Sequence, residues 1–248
     1  MKKFSITLIL LSITLLGNAQ DNWAFDLYFQ MNTKITSDRS RDNATMSQRL
    51  DYNENTHSLS ISNQIINTRG RSGNDNKNID RIIMDQQAGK IFTFMDMRDK
   101  KVRMKMPLRF MGLANPDYAG DERYRLTSFE ATGNSRTIGG KNTDEYKGTT
   151  GDGVAVFVYI SKRSYPNKSM AGLHRIIYND YARKRNSNST PIMAAMEHTL
   201  VKNKLESGHM VLGYKWTDTR HNKTVETQIT DFGREFTRFD GSSYESIL

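Results

Sequence analysis

A chain of 248 residues with no cysteine and a formal charge of +9 excludes several chemistries at once. It has no thiol nucleophile, no cysteine-based zinc site, no CxxC redox pair and no lipobox cysteine for lipid attachment. The basic excess points to anionic partners such as lipid head groups, polyanionic glycans or nucleic acid.

The first residues read Met1-Lys2-Lys3, then an apolar run from Phe4 to Leu16, then Gly17-Asn18-Ala19. A basic start, a short apolar stretch and small residues at −3 and −1 predict a signal peptide over residues 1–19, cleaved after Ala19. The run is shorter than the roughly 20 apolar residues of a spanning helix, and no later segment is long and apolar enough to span. The expectation is a periplasmic protein, or an extracellular one, not lipid-anchored and without a transmembrane segment after cleavage. Export removes nucleic acid from the list of partners. Residues 20–248 are expected to form a single β-rich domain, large enough to bury a core without disulfides.

Past the leader, Trp23, Phe25, Leu27, Phe29, Met31 and Ile35 alternate with mostly polar residues. Period two puts one face of a strand on a core. Ser37 to Asn43 reads as a polar turn. Leu59-Ser60-Ile61-Ser62 repeats the alternation and carries on to Ile65. Asn67 to Asn78 is rich in Asn, Gly and cations, and reads as a loop. Arg81 to Asp85, Ile91 to Met97 and Val102 to Met106 follow as a meander of hairpins. Pro107 ends the third strand, since it cannot donate to a ladder. Ile91, Thr93, Met95 and Met97 share one face. Val102, Met104 and Met106 share a face of the next strand, with Arg103 and Lys105 opposite.

Tyr124 to Glu130 is another strand candidate. Val154 to Ile160 is apolar almost throughout, which predicts a central strand covered on both faces. Met210 to Trp216 and Val225 to Thr230 alternate again, and Phe232 to Phe239 adds one more candidate. Helix is the minority signal. Thr190 suits an N-cap and Pro191 a first helical position, with Ile192, Met196 and Leu200 on one face, so the spacing predicts a helix from about Pro191 to Lys204. Leu108 to Leu113 and Met170 to Tyr181 are shorter or less regular candidates. The expected fold is mainly β, with a minor α part. It is a curved antiparallel sheet, or incomplete β-barrel, with one or two helices covering its concave face.

Catalytic signatures are missing from the sequence: no GxSxG, HExxH, GxGxxG or P-loop. The five histidines, His57, His174, His198, His209 and His221, show no metal-ligand spacing. Glu197 and His198 are adjacent on the candidate helix, point in different directions and read as solvated surface. No enzyme activity, metal or cofactor is expected. Methionine is more telling. Met84, Met95, Met97, Met104, Met106 and Met111 are closely grouped, and Met is flexible and polarizable enough to line a surface for an irregular apolar partner. A core that happens to use Met is the plainer account. Copper is a third, but it calls for nearby His, and His57 lies far upstream.

The stretches Ile82-Ile83-Met84-Asp85, Lys90 to Met97 and Lys101 to Leu108 resemble an uncharacterised bacterial exported family, domain of unknown function 4412. Thr132 to Gly140, Glu145-Tyr146 and the strand from Val154 to Ser161-Lys162 resemble it again. The chain departs from that pattern at Lys141-Asn142-Thr143 and at Tyr159. The resemblance carries no catalytic residues. In organisation the family is similar to the periplasmic lipoprotein-carrier superfamily, whose curved, incomplete barrel holds acyl chains in an apolar concavity. That likeness implies a non-enzymatic binding or carrier protein for a lipid or other apolar ligand, lined by Phe92, Phe94, Met95, Met97, Met104 and Met106, with the helix near Pro191 as a lid. The alternative is a cell-envelope interaction or structural module without a small-molecule ligand. It would use the basic surface and the 67–78 and 183–189 loops to meet an envelope protein or an anionic membrane surface.

Overall fold

The computed structural model describes residues 21–38, 43–62, 66–67, 79–97, 100–108, 126–165, 195–196, 198–218 and 222–247. The expected leader therefore lies outside the described residues. So do the helix candidates at 109–113 and 170–181 and the loops at 68–78 and 183–189.

The strands are β1 (Asn22–Ser37), β2 (Ala44–Asn53), β3 (Ser58–Ser62), β4 (Ile66–Asn67), β5 (Ile79–Asp85), β6 (Lys90–Met97) and β7 (Lys100–Pro107) in the first half. β8 (Leu126–Ile138), β9 (Lys141–Thr150), β10 (Ala155–Ser161), β11 (Val211–Asp218), β12 (Lys223–Asp240) and β13 (Glu245–Ser246) follow, with the helix α1 (Thr199–Glu206) before β11. They form one sheet in the order β13-β7-β6-β5-β3-β2-β1-β12-β11-β10-β9-β8, with β4 on β2. The sheet does not close into a barrel. Among the described residues every strand pair is antiparallel except β13 with β7.

β1 is the hub. Its period-two pattern buries Trp23, Phe25, Leu27, Phe29 and Met31, each burial contributing about 1.5–3 kcal/mol. It pairs with β12 along its whole length and with β2 from Leu27 to Ile35. Register shifts after Phe25 and Gln30 mark bulges that bend this ribbon. Further shifts bend β5–β6, β8–β9 and β10–β11.

Two expectations about the strands need correcting. Val154 to Ile160 is not the central strand. β10 is third from the β8 edge, and the centre belongs to β1 and its neighbours. Phe232 to Phe239 is not a separate strand, because β12 runs unbroken for 18 residues from Lys223. Four strands, β2, β4, β9 and β13, have no counterpart in the sequence pattern.

Among the described residues the core has three parts. Leu27, Phe29, Met31, Leu50, Tyr52, Leu59, Met84 and Ile91 pack with Ile138, Tyr159, Met210, Leu212 and Ile229. An aromatic group joins Trp23, Phe25, Ile83, Phe92, Phe94 and Tyr244, with Phe239 against it. The third part lies under the helix, where Ala195, Met196 and Val201 meet Tyr146, Val156, Val158, Ile160 and Val211.

Among the described residues the helix predicted from Pro191 to Lys204 is interrupted at His198. Ala195 and Met196 are helical, but His198 caps α1, its Nδ1 accepting from the Leu200 N–H at 3.3 Å. The His198 ring also sits 4.9 Å from that of Phe129. A side chain read as solvated surface is therefore structural. Residues 190–194 lie outside the described residues.

Candidate functional site

The register between strands decides which side chains share a face. Ile61 of β3 lies opposite Ile82 of β5, and Ile82 opposite Thr93 of β6. Thr93 lies opposite Met104 of β7, Ile91 opposite Met106, and Met95 opposite Val102. Side chains alternate along each strand, so Met95 and Met97 share this face with Ile91 and Thr93. The result is one apolar face across β3, β5, β6 and β7. Its inner part is continuous with the main core through Leu59, Met84 and Ile91. Ile61 and Ile82 are half-buried against that core. Outward, Met95, Met104 and Met106 are half-buried, and Met97 is 48% exposed.

The six residues expected to line one apolar surface thus divide between two. Phe92 and Phe94 stand on the opposite face of β6, 1% and 0% exposed. The Trp23 ring lies 4.8 Å from Phe92 and 5.6 Å from Phe94, and Phe239 and Tyr244 close on Phe94 at 4.6 and 5.0 Å. That side is filled, so these two rings are core and not lining. Met95, Met97, Met104 and Met106 remain together on the other face. The expected lid is also elsewhere: the apolar contacts of α1 are with β9 to β11, across the sheet from β6 and β7.

The filled face carries charge that the sequence pattern did not single out as a site. Lys90, Arg103 and Lys105 stand on the Phe92 and Phe94 side. Lys105 lies opposite Phe92, Arg103 opposite Phe94, and Lys90 is diagonal to Lys105. The Lys105 ammonium is 5.8 Å from the Phe92 ring centre. Arg103 pairs with Asp21 through Nη1. Burial, then the nearby Lys90 and Arg103, hold the Lys105 ammonium below its ordinary value, with Asp21 pulling the other way. The alternation of Val102, Met104 and Met106 with Arg103 and Lys105 was legible, but not which cations the fold would bring to Lys90.

Further along the sheet, Asp51 is 3% exposed and sits between two guanidinium groups. Arg49 Nε reaches its Oδ1 at 2.8 Å and Arg81 Nη1 its Oδ2 at 3.5 Å. Arg49 also reaches Glu235 at 2.9 Å. Each charge here has a partner, as burial demands, and the group ties β2 and β5 to β12. Burial pushes the Tyr52 phenol up to about 12, and its hydroxyl lies 2.8 Å from His57 Nδ1 in the β2–β3 turn. Among the described residues no cluster of three or more His, Cys, Asp or Glu could hold a metal ion. Among them, too, no helix is long and apolar enough to cross a membrane.

No protein-family model matches the sequence, so the resemblance to domain of unknown function 4412 has no matching model behind it. No curated protein matches either. Solved structures do. The chain is similar to PNGF-II at 7% identity and a TM-score of 0.32, covering 85% of this chain and 28% of that one. It therefore spans under a third of that structure's length. It is similar to an uncharacterized conserved protein from Thermus thermophilus at 8% identity and a TM-score of 0.42, over 96% of this chain and 98% of that one. It is also similar to the Mycobacterium tuberculosis lipoprotein LppX at 8% identity and a TM-score of 0.34, over 92% and 94%.

Proposed function

We propose that this chain is an exported, non-enzymatic protein of the periplasm that binds an acyl chain or similar apolar ligand along its methionine face. One observation carries the reading. Met95, Met97, Met104 and Met106 are only partly covered, yet they share a face with Ile61 and Ile82 that runs on into the buried core. Large apolar side chains left partly in water on one continuous face favour an apolar partner. Unbranched thioethers can repack around a chain of variable length. The leader read from residues 1–19 gives the compartment.

A fluorescent fatty acid titrated into the full chain tests this. Saturable binding is expected, weakened about ten-fold or more in a Met95→Gln/Met104→Gln double variant whose thermal unfolding is little changed. Absence of saturable binding, or equal binding by the double variant, overturns the reading. In that case an envelope interaction module is the better account. It is favoured by the row of Lys101, Arg103 and Lys105 along β7, and cross-linking in cells would yield a fixed protein partner.

A further inference from the structure

We propose that Met95, Met97, Met104 and Met106 are a site of reversible sulfoxidation, through which hydroperoxide oxidants switch off the apolar face these side chains form. The proposal rests on the acyl-chain reading of that face for its consequence, and on exposure for its chemistry. Met97 is 48% exposed, and Met95, Met104 and Met106 are half-buried. Met31, Met84, Met196 and Met210 are buried, none more than 9% exposed. Oxidation of a thioether follows the access of oxidant to its sulfur. Among the described residues the methionines are thus sorted by burial. Those of β6 and β7 are open, those in the core are closed, and Met46 of β2 is the other half-buried one.

The step transfers one oxygen atom. A lone pair of the methionine sulfur attacks an oxygen of hydrogen peroxide, the O–O bond breaks and an S–O bond forms. A proton shift between the two oxygens releases water. Sulfur is oxidised by two electrons, and the peroxide is reduced to water. The chain has no cysteine, so no thiol of its own competes for the oxidant or turns the response into a disulfide. A sulfoxide is polar, and its formation undoes an apolar surface. An acyl chain laid over it would bury the new oxygen without a hydrogen-bond donor, which weakens binding.

The sheet gathers these sulfurs at its edge. Met95 is opposite Val102 and Thr93 opposite Met104, so Met95 and Met104 are diagonal neighbours, with Cβ atoms about 7–8 Å apart in such a relationship. β13 pairs in parallel with β7, Glu245 beside Val102 and Ser246 beside Arg103. Ile247 follows, its N–H donating to the Arg103 carbonyl at 3.1 Å. Alternation puts the Ile247 side chain on the methionine side with Val102, and it is 47% exposed. The outer end of the face is therefore open at both Met97 and Ile247. Its inner end is closed, with Met84 2% exposed in the main core. Oxygen added at the open end changes the face and leaves the core packing intact.

Hydrogen peroxide treatment of the full chain, ended with catalase, tests this. Peptide mass spectrometry locates the sulfoxides, and titration with a fluorescent fatty acid reads the face. Met97 is expected to oxidise first, then Met95, Met104 and Met106, with Met31, Met84, Met196 and Met210 about ten-fold slower or more. Fatty-acid affinity is expected to fall about ten-fold or more while thermal unfolding stays nearly unmoved. It should return on treatment with methionine sulfoxide reductases of both stereospecificities. A Met46→Leu chain is expected to respond in the same way. Three results each overturn the switch and leave the acyl-chain reading in place: affinity that oxidation does not lower or reduction does not restore, core methionines that oxidise as fast as Met97, or a response lost in Met46→Leu. An untreated chain that binds no fatty acid removes that reading, and the switch with it.

Discussion

Arg136 of β8 donates a hydrogen bond to Glu226 of β12 at 2.9 Å, although β11, β10 and β9 lie between those strands in the sheet. The contact exists because the β8–β9 hairpin bends back across its own neighbours. Two further contacts hold it there. The Arg136 guanidinium lies 4.5 Å above the Tyr159 ring, and Ile138 at the hairpin end is buried with Tyr159 and Leu212.

Arg136→Ala is therefore expected to destabilise the chain by about 1–2 kcal/mol, combining a part-exposed ion pair with a cation–π contact. Glu226 adds a pH signature. Burial alone would raise its carboxyl. Hydrogen bonds from Gln228 and Arg136, together with the charges of Arg136 and Lys215, hold it below the ordinary value. A carboxyl lowered in the folded state contributes stability above its unfolded value, and that contribution is lost as pH falls through the folded one. Urea unfolding followed from pH 7 down to pH 3 reads this. Glu226→Gln should flatten the acid arm of the curve, and an acid arm of unchanged slope would remove Glu226 from the clamp.

Two glycines at the tip of the same hairpin separate backbone strain from steric fit. Gly139 and Gly140 both have positive φ, 53° and 71°, as a two-residue hairpin turn requires. A Cβ on Gly140 would meet nothing within 4 Å, whereas one on Gly139 would lie 2.4 Å from the Thr230 carbonyl oxygen. Gly140→Ala is expected to cost about 1 kcal/mol, the left-handed penalty alone. Gly139→Ala adds overlap with backbone and is expected to cost about 3 kcal/mol or more. Denaturation midpoints of the two variants give the comparison directly. Equal losses would mean that the hairpin tip does not rest on β12.

How far the fold could be read depended on where the apolar side chains sat. β1 was legible because one face carries Trp23, Phe25, Leu27, Phe29 and Met31 without interruption. β9 was not, because its buried positions include Thr143, Gly148 and Thr150 beside Tyr146. Its threonines are buried on local hydrogen bonds, Thr143 donating to the Arg136 carbonyl and Thr150 to that of Val154. β2 hid behind Gln48, which interrupts the apolar face formed by Met46, Leu50 and Tyr52. The methionine strands gave their two faces in the sequence, but not which one was filled. The rings that fill the Phe92 side come from both ends of the described chain, Trp23 and Phe25 on β1 and Phe239 and Tyr244 near the C-terminus. Local pattern carries no record of such distant packing.

That long-range aromatic packing makes the two faces of β6 separable by mutation. Phe94 is fully buried and touches rings from β1, β12 and the segment before β13. Phe94→Ala leaves a cavity where three distant segments meet, and a loss of about 3–5 kcal/mol is expected. Loosening there should also redden Trp23 emission, since Trp23 is buried against Phe92 and Phe94 and its indole N–H is held by Asp85. Met97, three residues on and facing the other way, is half exposed, and Met97→Ala should change stability by no more than about 0.5 kcal/mol. Guanidinium unfolding monitored by tryptophan fluorescence measures both effects in one experiment. A small loss for Phe94→Ala would mean that the face is not filled as described. A large loss for Met97→Ala would place that side chain in the core and take it out of any ligand surface.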